Sequence, residues 1–313
     1  MFQRVLDTYE ILDSAYASGK AVQDLFASKG FGDIVEVQQL NGPKGTTDFV
    51  RIIIKGSNGK LSGGTAPTLG VTGRLGGLGA RPEMIGFVSD GDGALTAISV
   101  ALKLCDMQKK GDVLPGDVIV TTHVCPNAPT SPHFPTPFMG SPIEMGTINA
   151  LEVEMDVDAV LSVDTTKGNK IICKRGFAIS CPVKEGYILK AADDLVEIMQ
   201  TVTGQPAHVF PLSLQDITPY GNGVYHMNSI LQPAVATKAP VVGVAITTET
   251  PVAGGATGAT HLIDVEVTGR FVIEVAKNFT RGQCSFYDEE EFALLKKLYG
   301  DMSHFQTKGN QEQ

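Results

Sequence analysis

Two aspartates and two histidines carry most of the chemistry legible in this chain. Asp90 stands in FVSDGDGALTAISVALKL, between an apolar run and a long apolar helical pattern. His123 closes DVIVTTH and Asp164 closes AVLSVD. His261 follows APVVGVAITTET and a glycine-rich loop. Carboxylate oxygen and imidazole nitrogen are ligands that zinc and related divalent ions accept, and three or four of them hold one ion. An ion with three protein ligands and one open position lowers the pKa of its bound water and so makes a nucleophile. The four positions lie far apart in the chain and have no diagnostic local spacing.

Each residue also has a plainer role. Asp90 can cap the following helix by accepting hydrogen bonds from first-turn amides, and Asp92 is the better placed of the two for that. His123 can be a satisfied histidine at a strand end. Asp164 precedes TTKGN and can simply begin a turn. His261 sits in a loop, where a rigid scaffold often carries function. His133, inside proline-rich sequence, can contact a substrate or merely pack.

These residues need elements to hold them. Residues 1–29 read as two helical stretches, and DIVEVQQL and FVRIIIK as a hairpin around NGPKGTTD. APTLGVTG, MIGFVSD, DVIVTTHV, AVLSVDTT and APVVGVAITTET read as strands, and NKIICKRGFAISCPVKEGYIL as two more. Helical patterns follow at 93–107, in KAADDLVEIMQTVTG, in DVEVTGRFVIEVAKNFT and in DEEEFALLKKLYG. Alternating strands and helices predict a three-layer αβα fold with a mostly parallel central sheet. Ligands of such sheets bind at the carboxyl ends of the strands, which is where the candidate residues fall. CPNAPTSPHFPTPFMGSPIEM carries too much proline for a helix or a central strand. Its Phe134, Phe138 and Met139 predict that it packs against something.

The chain of 313 residues is read as one domain, 1–313. It divides into N-terminal helices and hairpin over 1–66, a core over 67–280 and a C-terminal helix over 286–300. A net charge of −9 repels nucleic acid. No apolar run reaches the length of a membrane span, and the first residues lack a signal-peptide pattern, so a cytoplasmic protein is expected. Five cysteines without a CxxC pair fit a reducing compartment.

The order of these features resembles the zinc-dependent aminopeptidase and carboxypeptidase superfamily, whose fold is phosphorylase/hydrolase-like. SDGDGALTAISVALKL is similar to the segment of the metal-bridging aspartate, which maps to Asp90. DAVLSVDTT is similar to the segment of a later acidic ligand, Asp164. GATHLIDVEVTGRFVIEVAKNF is similar to the segment of the last histidine, His261. The superfamily's His-x-Asp falls on TGRLGG, giving Arg74 and Gly76, and arginine cannot ligate a cation. Its Glu-Glu falls on VTTHVC, which offers His123 and no glutamate. The phrases RLGGLGARPEMIGFVSDGDGA and THVCPNAPTSPHFPTPFMGSP also resemble a bacterial family of unknown function.

The resemblance implies a metal-dependent hydrolase of a peptide or related amide, with a degenerate site. Asp90, His123, Asp164 and His261 are the expected ligands of zinc, one ion rather than two. Alternatively, Asp164 pairs with Arg74. Arg74 would stabilise an oxyanion or a substrate carboxylate, Glu249 would act as base, and His133 would touch substrate. The alternative is a non-catalytic binding protein for a small molecule or peptide on the same scaffold. A nucleotide enzyme, prompted by GVTGRLGGLG, lacks any GxxxxGK[ST]. The expected partners are a small-molecule or peptide substrate and further copies of the chain as a homo-oligomer, without nucleic acid or membrane.

Overall fold

The computed structural model describes residues 1–310 apart from 75, 77 and 82. Two of these fall in the glycine stretch read above as a nucleotide loop, so that reading lies partly outside the described residues. Helices α1 (Phe2–Leu12) and α2 (Gly19–Ser28) open the chain, the second capped by the Ser18 hydroxyl. Strands β1 (Val35–Gly42) and β2 (Gly45–Ile54) pair antiparallel with Gly42 opposite Gly45. The hairpin loop is therefore only Pro43 and Lys44, and the turn-rich residues around it belong to the strands.

The next elements are β3 (Leu69–Gly73), α3 (Asp92–Lys109) and β4 (Val118–Val124). Two short strands, β5 (Thr130–Ser131) and β6 (Phe138–Met139), pair within the proline-rich loop. Helix α4 (Met145–Glu152) and β7 (Ala159–Thr165) follow, then β8 (Gly176–Ser180), β9 (Val183–Lys184) and β10 (Tyr187–Ile188). Helix α5 (Asp193–Thr203) has two aspartates in its first turn and ends on left-handed Gly204. The chain continues through β11 (Val209–Phe210), β12 (Val241–Thr247), α6 (Leu262–Thr280) and α7 (Glu289–Tyr299).

The main sheet runs β1-β2-β4-β3-β7-β12-β8-β11, with β9 and β10 beside it. Its centre, β4-β3-β7-β12, is parallel, while β2 and β8 join that centre antiparallel. The sheet is thus mostly parallel, as expected. Strands β3, β4, β7 and β12 are buried almost throughout and are rich in Val, Ile and Ala, the composition of strands covered on both faces. Helices α1, α3, α5 and α6 pack together on one face. On the other, α4 and 3₁₀ turns between 214 and 235 cover β7 and β12. Their core includes Phe210, Ile217, Ile230 and Leu231.

Two expectations need correction. MIGFVSD forms no strand. Gly86 bends the chain at φ 98°, Met84 makes only an isolated bridge to Ala80, and Ser89–Gly91 is a 3₁₀ turn. Asp90 therefore stands at a helix entry and not at a strand end. Asp92, expected as the cap of α3, makes no cap bond, for its carboxylate is committed elsewhere. Helix α4 was not legible, because proline-rich sequence runs up to it.

Candidate functional site

The carboxyl edge of β3, β4, β7 and β12 gathers the site. Helix α3 starts there because two glycines allow close approach. A Cβ on Gly73 would lie 2.5 Å from the Gly93 carbonyl, and one on Gly93 would lie 2.5 Å from that of Val163. This contact seats Asp90 and Asp92 directly above the strand ends. Ser89 then ties the entry turn to the glycine-rich loop, its N–H donating to Thr257 O (2.9 Å) and its hydroxyl to Gly255 O (3.2 Å).

Arg74 extends β3, its N–H donating to Val163 O at 2.8 Å. The side chain is fully buried. It bonds Asn149 Oδ1 (2.8 Å) and the Glu152 carboxylate, residues three apart on α4. Its partner is therefore Glu152, not the expected Asp164. Asp164 accepts from the Thr165 N–H (2.7 Å) and the Ser229 hydroxyl (3.3 Å). Arg74 still acts on it through space. Burial pushes the Asp164 carboxyl up to about 6 against the pull of Arg74. Burial likewise raises Glu152 to about 7, again opposed by Arg74.

His123 is also buried and has spent both ring nitrogens. The Thr47 hydroxyl donates to Val124 O (3.1 Å), leaving its oxygen to accept from Nδ1 (3.0 Å). The Gly76 N–H donates to Nε2 at 3.3 Å. Burial, then the nearby Arg74 charge, lowers the imidazole pKa to about 4, so it is neutral.

Asp90 keeps 9% exposure, and no side-chain hydrogen bond engages its carboxyl among the described residues. Burial first, then Asp164 and Asp92, raise it to about 8, with Lys167 opposing. Asp92 is paired with Lys167, whose Nζ lies 2.7 Å from Oδ2, and both side chains are buried. Lys167 follows β7 in a left-handed conformation, φ 47°. Sequence reasoning missed Lys167, Glu152 and Asn149. The lysine lies inside TTKGN, which reads as a solvated turn, and only its burial changes that reading.

His261 precedes α6 and is half exposed, with Nδ1 3.6 Å from Asp264 Oδ2. Glu249 is exposed beyond β12. Both line one cavity of about 630 Å³, together with Arg175, Thr248, Thr260 and Asp264. Asp264 is nearly buried, and Arg175 Nε comes within 3.9 Å of it. Burial raises its pKa, opposed by His261, Arg175 and Lys167. His133 stands apart on the proline-rich loop, exposed, with Nδ1 3.2 Å from Thr136 O. That loop packs on the protein itself: Thr136 donates to Gly254 O (3.3 Å), and Met139 buries among Ala80, Val88 and Ala256. A larger cavity, about 1170 Å³, opens near the start of the same strands, at Pro67 and Pro240, away from all the candidate residues.

The structure thus brings Arg74, Asp90, His123 and Asp164 to one buried edge, and Glu249 and His261 to the adjoining cavity. A resident zinc needs three protein donors. Among the described residues, no group of three His, Cys, Asp or Glu side chains can hold a metal ion. His123 is bonded within the fold, and Asp92 and Glu152 carry protein cations. This donor set does not fit a resident zinc. It does leave buried polar atoms without partners: Asp92 Oδ1, Glu152 Oε1, Arg74 Nε and Nη2, and the hydroxyls of Thr165, Thr166, Thr247 and Thr260. Such atoms are rare in folded proteins; others among the described residues lie elsewhere, at Thr8, Arg51, Thr68, Arg81 and Gln232.

Two solved structures share the fold. The bottromycin maturation enzyme BotP matches with a TM-score of 0.54 and 14% identity, over 90% of this chain and 70% of its own. The LapA aminopeptidase of Legionella pneumophila matches with a TM-score of 0.53 and 12% identity, over 91% of this chain and 71% of its own. Residues 38–309 match the model described as "Protein of unknown function (DUF1177)", and the chain belongs to that family. No curated protein matches the sequence.

Proposed function

We propose that this chain is a binding protein for a small zwitterion, an amino acid or short peptide, on an aminopeptidase-like scaffold. The observation that carries this is the cavity between β12 and α6. It sets Glu249 and the nearly buried Asp264 against Arg175 and His261. A ligand ammonium suits the carboxylates and a ligand carboxylate suits the guanidinium. Thr260, whose buried hydroxyl has no hydrogen-bond partner, also lines this space. Exposed Phe134 and Phe138 support the expected homo-oligomer as part of this reading.

Thermal shift with a panel of amino acids and dipeptides, each beside its N-acetylated form, tests the proposal. Free forms should raise Tm, acetylated forms should not, and Asp264→Asn should lose the response. Equal responses to both forms, or none to any, would remove it.

A second reading is the metal-dependent hydrolase, with Asp90, His123, Asp164 and His261 as ligands and Arg74 and Glu249 in catalysis. Its support is the crowding of Asp90 and Asp164, whose raised carboxyl pKa values a cation would relieve. The bonded state of His123 weighs against it.

A further inference from the structure

Five carboxyl groups with little or no exposure crowd this edge: Asp90, Asp92, Glu152, Asp164 and Asp264. Buried carboxylates need cations or protons. Among the described residues two cationic side chains are buried, and they divide the work. Arg74 bonds Glu152 and pulls on Asp164. Lys167 bonds Asp92 and pulls on Asp90 and Asp264.

Lys167 is fixed in place from several sides. Its left-handed backbone is strained for a residue with a Cβ. Its N–H donates to Ile246 O at 3.3 Å, at the end of β12. The neighbouring Gly168 N–H donates to Thr248 Oγ1 at 2.7 Å. Gly254 packs on the lysine stem, where a Cβ would come within 3.3 Å of Lys167 Cγ. The ammonium covers only one oxygen of Asp92. The other, Oδ1, is buried beside the Thr260 hydroxyl and makes no hydrogen bond of normal geometry.

We propose that Lys167 is the resident cation of this edge: its ammonium, seated on Asp92, stands where a divalent ion would bridge carboxylates and closes the place to metal. The inference rests on the reading above that the scaffold works without resident zinc. A lysine differs from an ion in that it cannot leave, and its single charge leaves the neighbouring carboxyls only partly neutralised. Removing it would leave Asp92 with both oxygens free beside Asp90. A hard cation needs no more than one or two carboxylates, with water filling its other positions.

The test is Mn²⁺ binding, read by electron paramagnetic resonance of the free ion, for wild type, Lys167→Ala and Lys167→Ala/Asp92→Asn. Wild type should leave the Mn²⁺ signal unchanged. Lys167→Ala should bind one ion, at least ~10-fold tighter than wild type, and the double variant should lose it. If Lys167→Ala folds only when Mn²⁺ is present, the proposal is equally supported. Stoichiometric Mn²⁺ on wild type would overturn it. So would a folded Lys167→Ala without affinity, or one that fails to fold with or without the ion while the double variant folds. The zwitterion screen uses wild type and Asp264→Asn, both of which keep Lys167. A negative screen beside Mn²⁺ capture by Lys167→Ala would sink the binding reading and leave this one standing, and the converse holds.

Discussion

Asp90 is the residue with most to say about pH. Its carboxyl is raised from 3.8 to about 8, chiefly by burial. A carboxyl whose folded pKa lies above its unfolded value stabilises the fold fully below the unfolded pKa. That stability drains away as pH rises toward the folded value. The window therefore runs from about 4 to about 8. His123 works in the opposite sense: its folded pKa of about 4 lies below the unfolded 6.5, so its contribution is lost as pH falls through that range. Asp90→Asn should flatten the decline of Tm between about pH 4 and about 8. Melting curves across the range measure this, and an unchanged slope within that window would refute the assignment. Asp90, His123 and Asp164 were legible because a carboxylate or imidazole at the end of an apolar run is conspicuous. Lys167 and Glu152 were not. A lysine before glycine and a glutamate in an acidic stretch look solvated until long-range packing buries them.

At the scale of elements, the entry of α3 controls the site. Its alanine- and glycine-rich first turns let the helix lie against β3 and β7, and the Gly73–Gly93 contact sets how close. Gly93→Ala places a methyl against two backbone carbonyls that cannot move aside. It should cost about 1–3 kcal/mol, the range of overpacked cores. Chemical denaturation checks this, and wild-type stability would contradict the packing argument. Helical periodicity made α3, α5, α6 and α7 readable from sequence. MIGFVSD misled because its apolar run imitates a strand, while Gly86 turns the chain and leaves it only an isolated bridge. The 3₁₀ turns between 214 and 235 carry no such periodicity, although they close one face of the sheet.

At the scale of the whole molecule, the parallel centre of the sheet followed from the alternation of strands and helices. Its borders did not. Nothing local records that the hairpin joins through β2 to β4, or that β8 lies antiparallel to β12, because both pairings depend on residues far away in sequence. No helix among the described residues is long and apolar enough to cross a membrane. The fold is shared with the BotP and LapA structures, while cations of the chain itself, Arg74 and Lys167, lie against carboxylates at its strand ends and, in our proposal, take the place of a resident ion. Metal content of protein purified without chelators, measured by inductively coupled plasma mass spectrometry, tests that claim most directly. The account predicts zinc far below one ion per chain, with no difference between wild type and Asp90→Asn. One tightly held zinc per chain, lost in Asp90→Asn, would contradict it.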